Sequence, residues 1–215
     1  MPRAISVLAL FLIVTCGPSP EERPLSFAAD GQRALVNGYV AAESFRTFEA
    51  FVDEHPEVRT LVFDQMPGSA DDDVMLQIAR DIHARGLATE GLAGSWITSG
   101  AVDMFVAGTS RRLACGADVG VHSWKEEEDD PGALNDGVLN TADEFPRDAS
   151  LPVHKRFIDY YRDVGLPDPE GFYWFTTDAA PFDGIHLMSA DEINRFGLTT
   201  VPMDCPLAER PAARN

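Results

Sequence analysis

Strand-like and helix-like segments alternate from residue 34 to residue 124 of this chain. The strand-like runs, which are short and largely apolar, are 34–41, 58–64, 87–94 and 117–124. The helix-like segments between them, with apolar residues three or four positions apart, are 43–55, 71–86 and 99–108. A strand, a helix and a second strand in this order form a βαβ unit with a right-handed crossover. The alternation therefore predicts an α/β fold with a mainly parallel sheet.

The C-terminal part of the chain predicts two more helices, after a long acidic interruption. Segment 125–148 is acidic, rich in turn-forming residues and without apolar periodicity, so we expect a loop. Its spacing matches no calcium-binding loop, and we expect no metal there. Helical periodicity returns at 151–166. The last helix, 189–198, begins with Ser189 as its N-cap and Glu192 in the capping-box position.

Length and charge limit the classes of protein and partner. With 215 residues, of which 45% are hydrophobic, the chain can bury one sizeable core. We therefore expect a single domain over 34–205, followed by a tail at 206–215. The 35 acidic residues against 17 basic ones give a formal charge of -18, and no basic patch stands out. This charge excludes nucleic acid as an expected partner, and no residue pattern predicts a cofactor.

The first sixteen residues predict export. Arg3 precedes an apolar run at 4–14 that is too short to span a bilayer of about 30 Å as a helix. The run ends at Cys16 in a pattern similar to the lipobox of bacterial lipoproteins, in which that cysteine carries the lipid. Two outcomes stay open: a lipoprotein anchored to the membrane at Cys16, and plain secretion after cleavage. In both, the mature protein is periplasmic or otherwise extracytoplasmic, and 17–33 forms a flexible spacer.

Two cysteines remain beyond the leader, Cys115 and Cys205. Export favours oxidised thiols, and the proline-rich C-terminal segment needs an anchor, so we expect one disulfide between them. The alternative is two separate, half-buried thiols.

Three segments that follow predicted strands carry residues suited to hydrolysis. They are the turn Pro67-Gly68-Ser69, Ser99 at a helix start, and His122 at a strand end. In α/β sheets, ligands bind at the carboxyl ends of strands, so these segments are expected to meet. Ser99 then serves as nucleophile, with the Gly100 amide donating to an oxyanion, and His122 serves as base. Each signal also has an ordinary structural interpretation: Ser99 as a helix cap, His122 as a hydrogen-bonded residue, and Pro-Gly as a turn.

The order of these segments resembles the superfamily of the Clp protease proteolytic subunit and the crotonases, and within it an exported, predicted periplasmic branch. The resemblance covers roughly residues 33–200. It is carried by five stretches: "DQMPGSADDDVMLQIARDI", "TSGAVDMFVAGTSRR", "VGVHSW", "HKRFIDYYRDVGLP" and "MSADEINRFGLTT". It implies a ClpP/crotonase-like fold of repeated ββα and βαβ units.

The resemblance also implies roles for single residues. Ser99 becomes the nucleophile, His122 the general base, and Gly68 and Gly100 the donors to the oxyanion. The third member of the family's triad is an aspartate shortly before the Ser-Ala element of the last helix. Asp183 is the nearest match in this sequence, and Asp178 is its rival.

Three functions follow as hypotheses. The first is an exported, ATP-independent serine hydrolase, a peptidase or esterase that acts on a peptide or ester substrate through an acyl-enzyme on Ser99. The second is a catalytically silent binding or envelope-organising protein. The third is crotonase-type chemistry on acyl thioesters, for which coenzyme A is not expected outside the cytoplasm. The resemblance further implies a homo-oligomer, while the aromatic stretch 171–175 predicts either an interface or part of the core.

Overall fold

One mixed sheet organises the part of the chain that the computed structural model describes, which is residues 23–125, 141–203 and 205. Its seven strands are β1 (Ser26–Asp30), β2 (Arg33–Asn37), β3 (Thr60–Met66), β4 (Ala88–Thr98), β5 (Arg111–Leu113), β6 (Asp118–Val121) and β7 (His186–Leu187). The strand order is β1-β2-β3-β4-β6-β7, and β5 pairs with the first half of β4. The pairs from β2 through β6 are parallel, whereas β1 and β7 add antiparallel edges. The predicted α/β fold with a mainly parallel sheet is confirmed.

The described residues also form six α-helices: α1 (Ser44–Glu54), α2 (Asp72–Ala84), α3 (Gly100–Val106), α4 (Pro152–Asp163), α5 (Pro169–Ala179) and α6 (Ala190–Phe196). Helix α2 begins as its sequence predicts, because the Asp71 side chain accepts a hydrogen bond from the Val74 amide. Helix α6 begins with the predicted capping box of Ser189 and Glu192. None of the helices in the described ranges is long and apolar enough to cross a membrane.

The first three helices pack side by side over the parallel strands. Because β2, β3 and β4 are neighbours in chain order, right-handed crossovers place α1 and α2 on the same face of the sheet. Alternate residues of the strands are fully buried under them, including Val36, Leu61 and Phe63. Helix α3, which follows β4, is buried along nearly its whole length. This burial holds the start of α3, and therefore Ser99, in a fixed place.

One predicted boundary and one predicted loop need correction. The segment 17–33 is not a spacer throughout, because β1 lies within it and pairs with β2, and Leu25 is buried. The folded domain therefore begins about ten residues earlier than predicted. The acidic segment 125–148 also contains a short 3-10 helix, Ala142–Glu144.

Several sequence predictions fall outside the described residues. They are the leader 1–16 with Cys16, the spacer portion 17–22, the acidic portion 126–140 and the tail 206–215.

The aromatic stretch 171–175 belongs to the core in large part. Phe172 and Tyr173, in α5, are fully buried, and Phe175 packs partly buried against Phe196 of α6. Of the two interpretations, the structure supports the core one for these residues.

A buried arginine joins three helix ends. Arg111 is only 6% exposed, and its guanidinium donates hydrogen bonds of 2.9–3.4 Å to five backbone carbonyls. These carbonyls belong to Val106, Gly108, Val164, Gly197 and Leu198. The helix ends leave such oxygens without intrahelical partners, so one planar cation satisfies groups from α3, α4 and α6 together.

Cys115 and Cys205 form a disulfide that closes a loop of 90 residues, with their Cα atoms 5.6 Å apart. Cys205 is 3% exposed. The bond attaches the end of the described chain to the turn before β6, as the sequence predicts.

Candidate active site

A cavity of about 910 Å³ lies where β3, β4 and β6 end. These three strands are adjacent and parallel, so the residues that follow them come together at one edge of the sheet. The cavity wall includes Pro67 and Ser69 after β3, Ser99 and Gly100 after β4, and His122 after β6. Helices α4 and α5 supply four of the aromatic side chains in the wall, which are Phe157, Tyr161, Phe172 and Tyr173. The structure thus brings together the three segments that the sequence singles out.

Ser99 occupies an unusual backbone conformation. Its φ of 55° and ψ of -137° lie outside the regions that residues with a Cβ ordinarily adopt, and it is the one non-glycine residue with positive φ in the described ranges. Such a conformation costs about 1–3 kcal/mol and persists where the surrounding structure enforces it. Although Ser99 stands at the N-cap position of α3, its side chain makes no capping hydrogen bond. Capping therefore does not explain the serine.

The turn after β3 lies directly against the Ser99 side chain. Gly68 has a φ of 134°, and a Cβ atom placed on it would be 2.8 Å from Ser99 Cβ and 3.1 Å from Ser99 Oγ. The Thr98 hydroxyl donates to the Pro67 carbonyl over 3.1 Å and fixes this approach. Only a glycine permits so close a contact between the two segments.

Two backbone amides near Ser99 are free to donate. Within the described chain, the N–H groups of Gly68 and Gly100 make no hydrogen bond to another residue. Gly100 is the first residue of α3, where amides lack intrahelical acceptors and the helix dipole favours negative charge. Ser69, beside them, donates its hydroxyl to Asp72 Oδ1 over 2.9 Å. The pair of amides is the arrangement that an oxyanion requires.

His122 reaches the same cavity from the neighbouring strand. Thr98 of β4 pairs with Gly120 of β6, and the Ser99 amide donates to the Gly120 carbonyl over 2.9 Å. The Nδ1 atom of His122 is buried and has no hydrogen-bond partner among the described residues. Burial lowers the pKa of His122, while the backbone of Ser123 and Phe182 and the charge of Asp72 act in the opposite direction. In the described structure, no hydrogen bond joins Ser99 to His122.

Neither candidate for the third acid is hydrogen-bonded to His122. Asp183 lies on the cavity wall in the exposed loop between α5 and β7. Asp178 instead forms an exposed ion pair with Arg147, with two contacts of 2.9 Å. In the described ranges, the carboxylate that acts on the pKa of His122 is that of Asp72.

An acidic group that the sequence analysis missed lies beside the nucleophile candidate. Asp103, one helical turn after Ser99, lines the cavity and accepts a 2.5 Å hydrogen bond from the Tyr161 hydroxyl. Burial raises the pKa of Asp103 to about 7, and burial also raises the pKa of Asp72. Arg156 lies 3.9 Å from Asp72. A single aspartate within the apolar helix segment 100–107 is the sequence signal that could have revealed Asp103.

Metal binding has no support in this arrangement. In the described ranges, no group of three or more histidine, cysteine, aspartate or glutamate side chains is placed to hold a metal ion.

Comparison with known proteins supports the fold. No protein-family model matches the chain, and no curated protein matches it significantly. Among solved structures, a serine-to-alanine mutant of the 1510-N membrane-bound stomatin-specific protease matches with 14% identity and a TM-score of 0.50, over 78% of this chain and 75% of that one. A lysine-to-alanine mutant of the same protease, in complex with a substrate peptide, matches with 14% identity and a TM-score of 0.50, over 82% and 75%.

A third structure, DspI from Pseudomonas aeruginosa, has 12% identity and a TM-score of 0.49, with 86% of this chain and 75% of that chain covered. At such low identity, these likenesses concern the fold alone. The mainly parallel sheet and the likeness to the fold of the stomatin-specific protease agree with the fold that the sequence resemblance implies.

Proposed function

We propose that this protein is a serine hydrolase that cleaves a peptide or ester bond through an acyl-enzyme on Ser99, without ATP. The observation that carries the proposal is the strained backbone of Ser99. The Ser99 side chain makes no capping hydrogen bond and lies against Gly68. Strained residues of this kind cluster at active sites, and a serine on a sharp strand-to-helix turn is typical of hydrolytic nucleophiles.

The residues around Ser99 supply the remaining steps of acyl transfer. Ser99 Oγ attacks the substrate carbonyl while His122 accepts its proton, and the amides of Gly68 and Gly100 donate to the oxyanion that forms. The bond to the leaving group breaks as His122 returns the proton to it, which leaves an ester on Ser99. A water molecule, deprotonated by His122, then attacks that ester. The bond between the acyl carbon and Ser99 Oγ breaks as His122 returns the proton to Oγ, and the acid is released.

The electrostatics of His122 suit a general base. Its burial favours the neutral imidazole at pH 7, which is the form that accepts a proton. The absence of a hydrogen bond to Ser99 is compatible with this role, because catalytic hydrogen bonds often tighten only in the complex with substrate. With no carboxylate bonded to His122 in the described chain, we propose a serine–histidine pair whose imidazole is oriented by its surroundings.

A peptide is the substrate class that we favour. The fold is similar to that of a protease whose structure was solved with a substrate peptide. The cavity, about 910 Å³ with aromatic walls, is large enough for several side chains.

The cellular setting is also a proposal. The leader predicts export, the disulfide between Cys115 and Cys205 fits an oxidising compartment, and hydrolysis there would proceed without ATP. The lipid anchor at Cys16 and the homo-oligomer stay predictions from the sequence.

A catalytically silent binding protein is the second candidate. The observation that favours it is the lack of hydrogen bonds from His122 to Ser99 or to a carboxylate within the described residues. Acyl-thioester chemistry ranks behind both, because it rests on the resemblance alone.

A fluorophosphonate probe distinguishes the first two candidates, because it reacts with activated serines. We expect labelling of the folded protein at Ser99, located by peptide mapping, and complete loss in Ser99→Ala. His122→Ala should slow the reaction by about 10²–10⁴-fold, the usual contribution of a general base. Ser26→Ala, on the exposed strand β1, is the matched serine control and should label normally. A folded wild-type protein that does not label would reject the hydrolase and favour the binding protein.

A further inference from the structure

A chain of three buried or partly buried hydrogen bonds runs from the cavity wall into the helices and uses none of the proposed catalytic residues. The Trp124 indole N–H donates to Tyr173 Oη over 2.8 Å, and Tyr173 Oη lies 2.6 Å from His154 Nδ1. His154 Nε2 in turn lies 3.1 Å from the carbonyl oxygen of Pro146. Tyr173 is 1% exposed and His154 is 0% exposed. We call these three side chains and the Pro146 carbonyl the indole–imidazole relay.

One arrangement of protons gives every N–H and O–H of the relay an acceptor. An indole N–H can only donate, so Tyr173 Oη accepts from Trp124, and the Tyr173 hydroxyl proton has His154 as its acceptor. In this arrangement Nδ1 of His154 is unprotonated. A carbonyl can only accept, so Nε2 of His154 carries the proton that goes to Pro146. The Tyr173 hydroxyl keeps its acceptor only while His154 is neutral and protonated on Nε2.

The relay holds the strand end that carries His122. Trp124 is two residues beyond His122, and both Trp124 and Tyr173 line the cavity. Among the described residues, the backbone of this strand end also has ties to other segments. The Ser123 amide donates to the Ala180 carbonyl at the end of α5 over 2.9 Å, the Ala142 amide donates to the Trp124 carbonyl over 3.2 Å, and Lys125 forms a β-bridge with Thr141. The side-chain relay adds a connection from this strand end into the packed helices α4 and α5.

We propose that Tyr173 and His154 are positioning residues for His122: through Trp124 they fix the end of β6, and with it the imidazole that lines the cavity together with Ser99. This inference rests on the proposed hydrolase function for its activity readout. It goes beyond that function, because it gives the pair of Ser99 and His122 an orienting device made of aromatic side chains, where a triad would use a carboxylate.

The relay also makes the position of His122 depend on pH, because protonation of His154 breaks one of its hydrogen bonds. A proton added to His154 sits on Nδ1 and faces the Tyr173 hydroxyl, which must then turn away and lose its acceptor. Burial lowers the pKa of His154, opposed by the Pro146 carbonyl and by Asp148. The folded state therefore loses stability as the pH falls below the ordinary histidine pKa of about 6.5, because the unfolded chain binds the proton first. Among the described residues, the Asp148 carboxylate acts on the pKa of His154 and the Asp72 carboxylate on that of His122. The Tyr173 hydroxyl faces His154, and the ionisable side chains that line the cavity with His122 include Asp103, Lys125, Arg156, Tyr161 and Asp183.

The first test removes one hydroxyl. In Tyr173→Phe, the rate of fluorophosphonate labelling of folded protein should fall at least about tenfold at pH 7.5, since small misplacements of catalytic groups have effects of this size. Tyr160→Phe is the matched control: Tyr160 is also fully buried, its hydroxyl donates to the Asp103 carbonyl, and it does not line the cavity. It should lose stability without a comparable loss of labelling rate. Equal labelling of Tyr173→Phe and wild type would overturn the inference.

The second test uses pH. If both His122 and His154 must be neutral, the logarithm of the wild-type labelling rate should fall with a slope approaching two in the acidic range. In His154→Gln, the amide can accept from Tyr173 and donate to Pro146, so labelling at neutral pH should be retained and the slope should drop to one. His186→Gln, which replaces a histidine bonded to Glu192, should keep the steeper slope. A slope of two in His154→Gln would contradict the relay.

A third measurement does not need catalysis. Nitrogen-15 NMR of the His122 imidazole follows its titration directly in wild type, Tyr173→Phe and Tyr160→Phe. Loosening the strand end should admit water to His122 and move its titration midpoint up toward the ordinary histidine value in Tyr173→Phe alone. An unchanged midpoint overturns the inference even if Ser99 never labels, whereas a shifted midpoint without labelling supports the relay and rejects only the hydrolase.

Discussion

Replacing Ser99 by glycine should make the protein more stable, although it removes the proposed nucleophile. At φ 55° and ψ -137°, any residue with a Cβ bears about 1–3 kcal/mol of strain. Glycine avoids that strain, but its greater freedom in the unfolded chain costs about 0.5–1 kcal/mol. The serine hydroxyl makes no capping bond, so Ser99→Ala should lose little and keep the strain. We therefore expect Ser99→Gly to exceed Ser99→Ala in unfolding free energy by about 1 kcal/mol.

Urea unfolding at pH 7.5, followed by tryptophan fluorescence, measures this difference, and a thermal scan should show a rise of about 2–4 °C for a chain of this size. Ser110, which does not have positive φ, provides the matched pair. There the order should reverse, with Ser110→Ala more stable than Ser110→Gly. If Ser99→Ala equals or exceeds Ser99→Gly in stability, the backbone of Ser99 is not strained, and the structural argument for a nucleophile fails with it.

Three further outcomes follow from the structure. Gly68→Ala places a methyl group 2.8 Å from Ser99 Cβ, so labelling of folded protein should fall at least about tenfold in a timed probe assay. Asp183→Asn should change the labelling rate by no more than about twofold. Loss of a triad acid would instead lower the rate roughly 10⁴-fold, and a loss of that size would identify Asp183 as the partner of His122. Arg111→Lys cannot reproduce the five guanidinium hydrogen bonds, so urea titration should show a loss of about 3 kcal/mol; an unchanged midpoint would show that these bonds do not stabilise the fold.

The fold was predictable where the sequence repeats a strong local pattern. The run 58–64 is almost wholly apolar and becomes β3, which is buried on both faces over much of its length. Strands β5 and β7 have three and two residues, too few for any periodicity to show. Strand β1 was missed because it is a largely exposed edge strand, and its residues bury little apolar surface. Short and edge strands are defined by their partners, which a local pattern does not contain.

In the candidate site, too, the residues placed by the sheet were predictable, whereas the contacts between distant segments were not. Ser99, Gly68 and His122 follow strands, so their meeting depends only on the parallel sheet, which the alternation predicts. Asp183 sits in an exposed loop, whose path depends on packing between distant elements. His154 falls on the apolar side of α4, where it could have been expected to be buried, but its contact with Tyr173 joins two helices and is visible only in three dimensions.

The disulfide between Cys115 and Cys205 bears on where and how the protein matures. Closing a loop of 90 residues removes about 4.6 kcal/mol of chain entropy from the unfolded state in the simplest treatment. Neither cysteine lines the cavity, so the bond stabilises the fold without touching the proposed chemistry. Oxidation of the two thiols would thus raise the fraction of folded molecules without changing the residues that line the cavity of each folded molecule. A cell could tune the abundance of this protein through thiol chemistry alone.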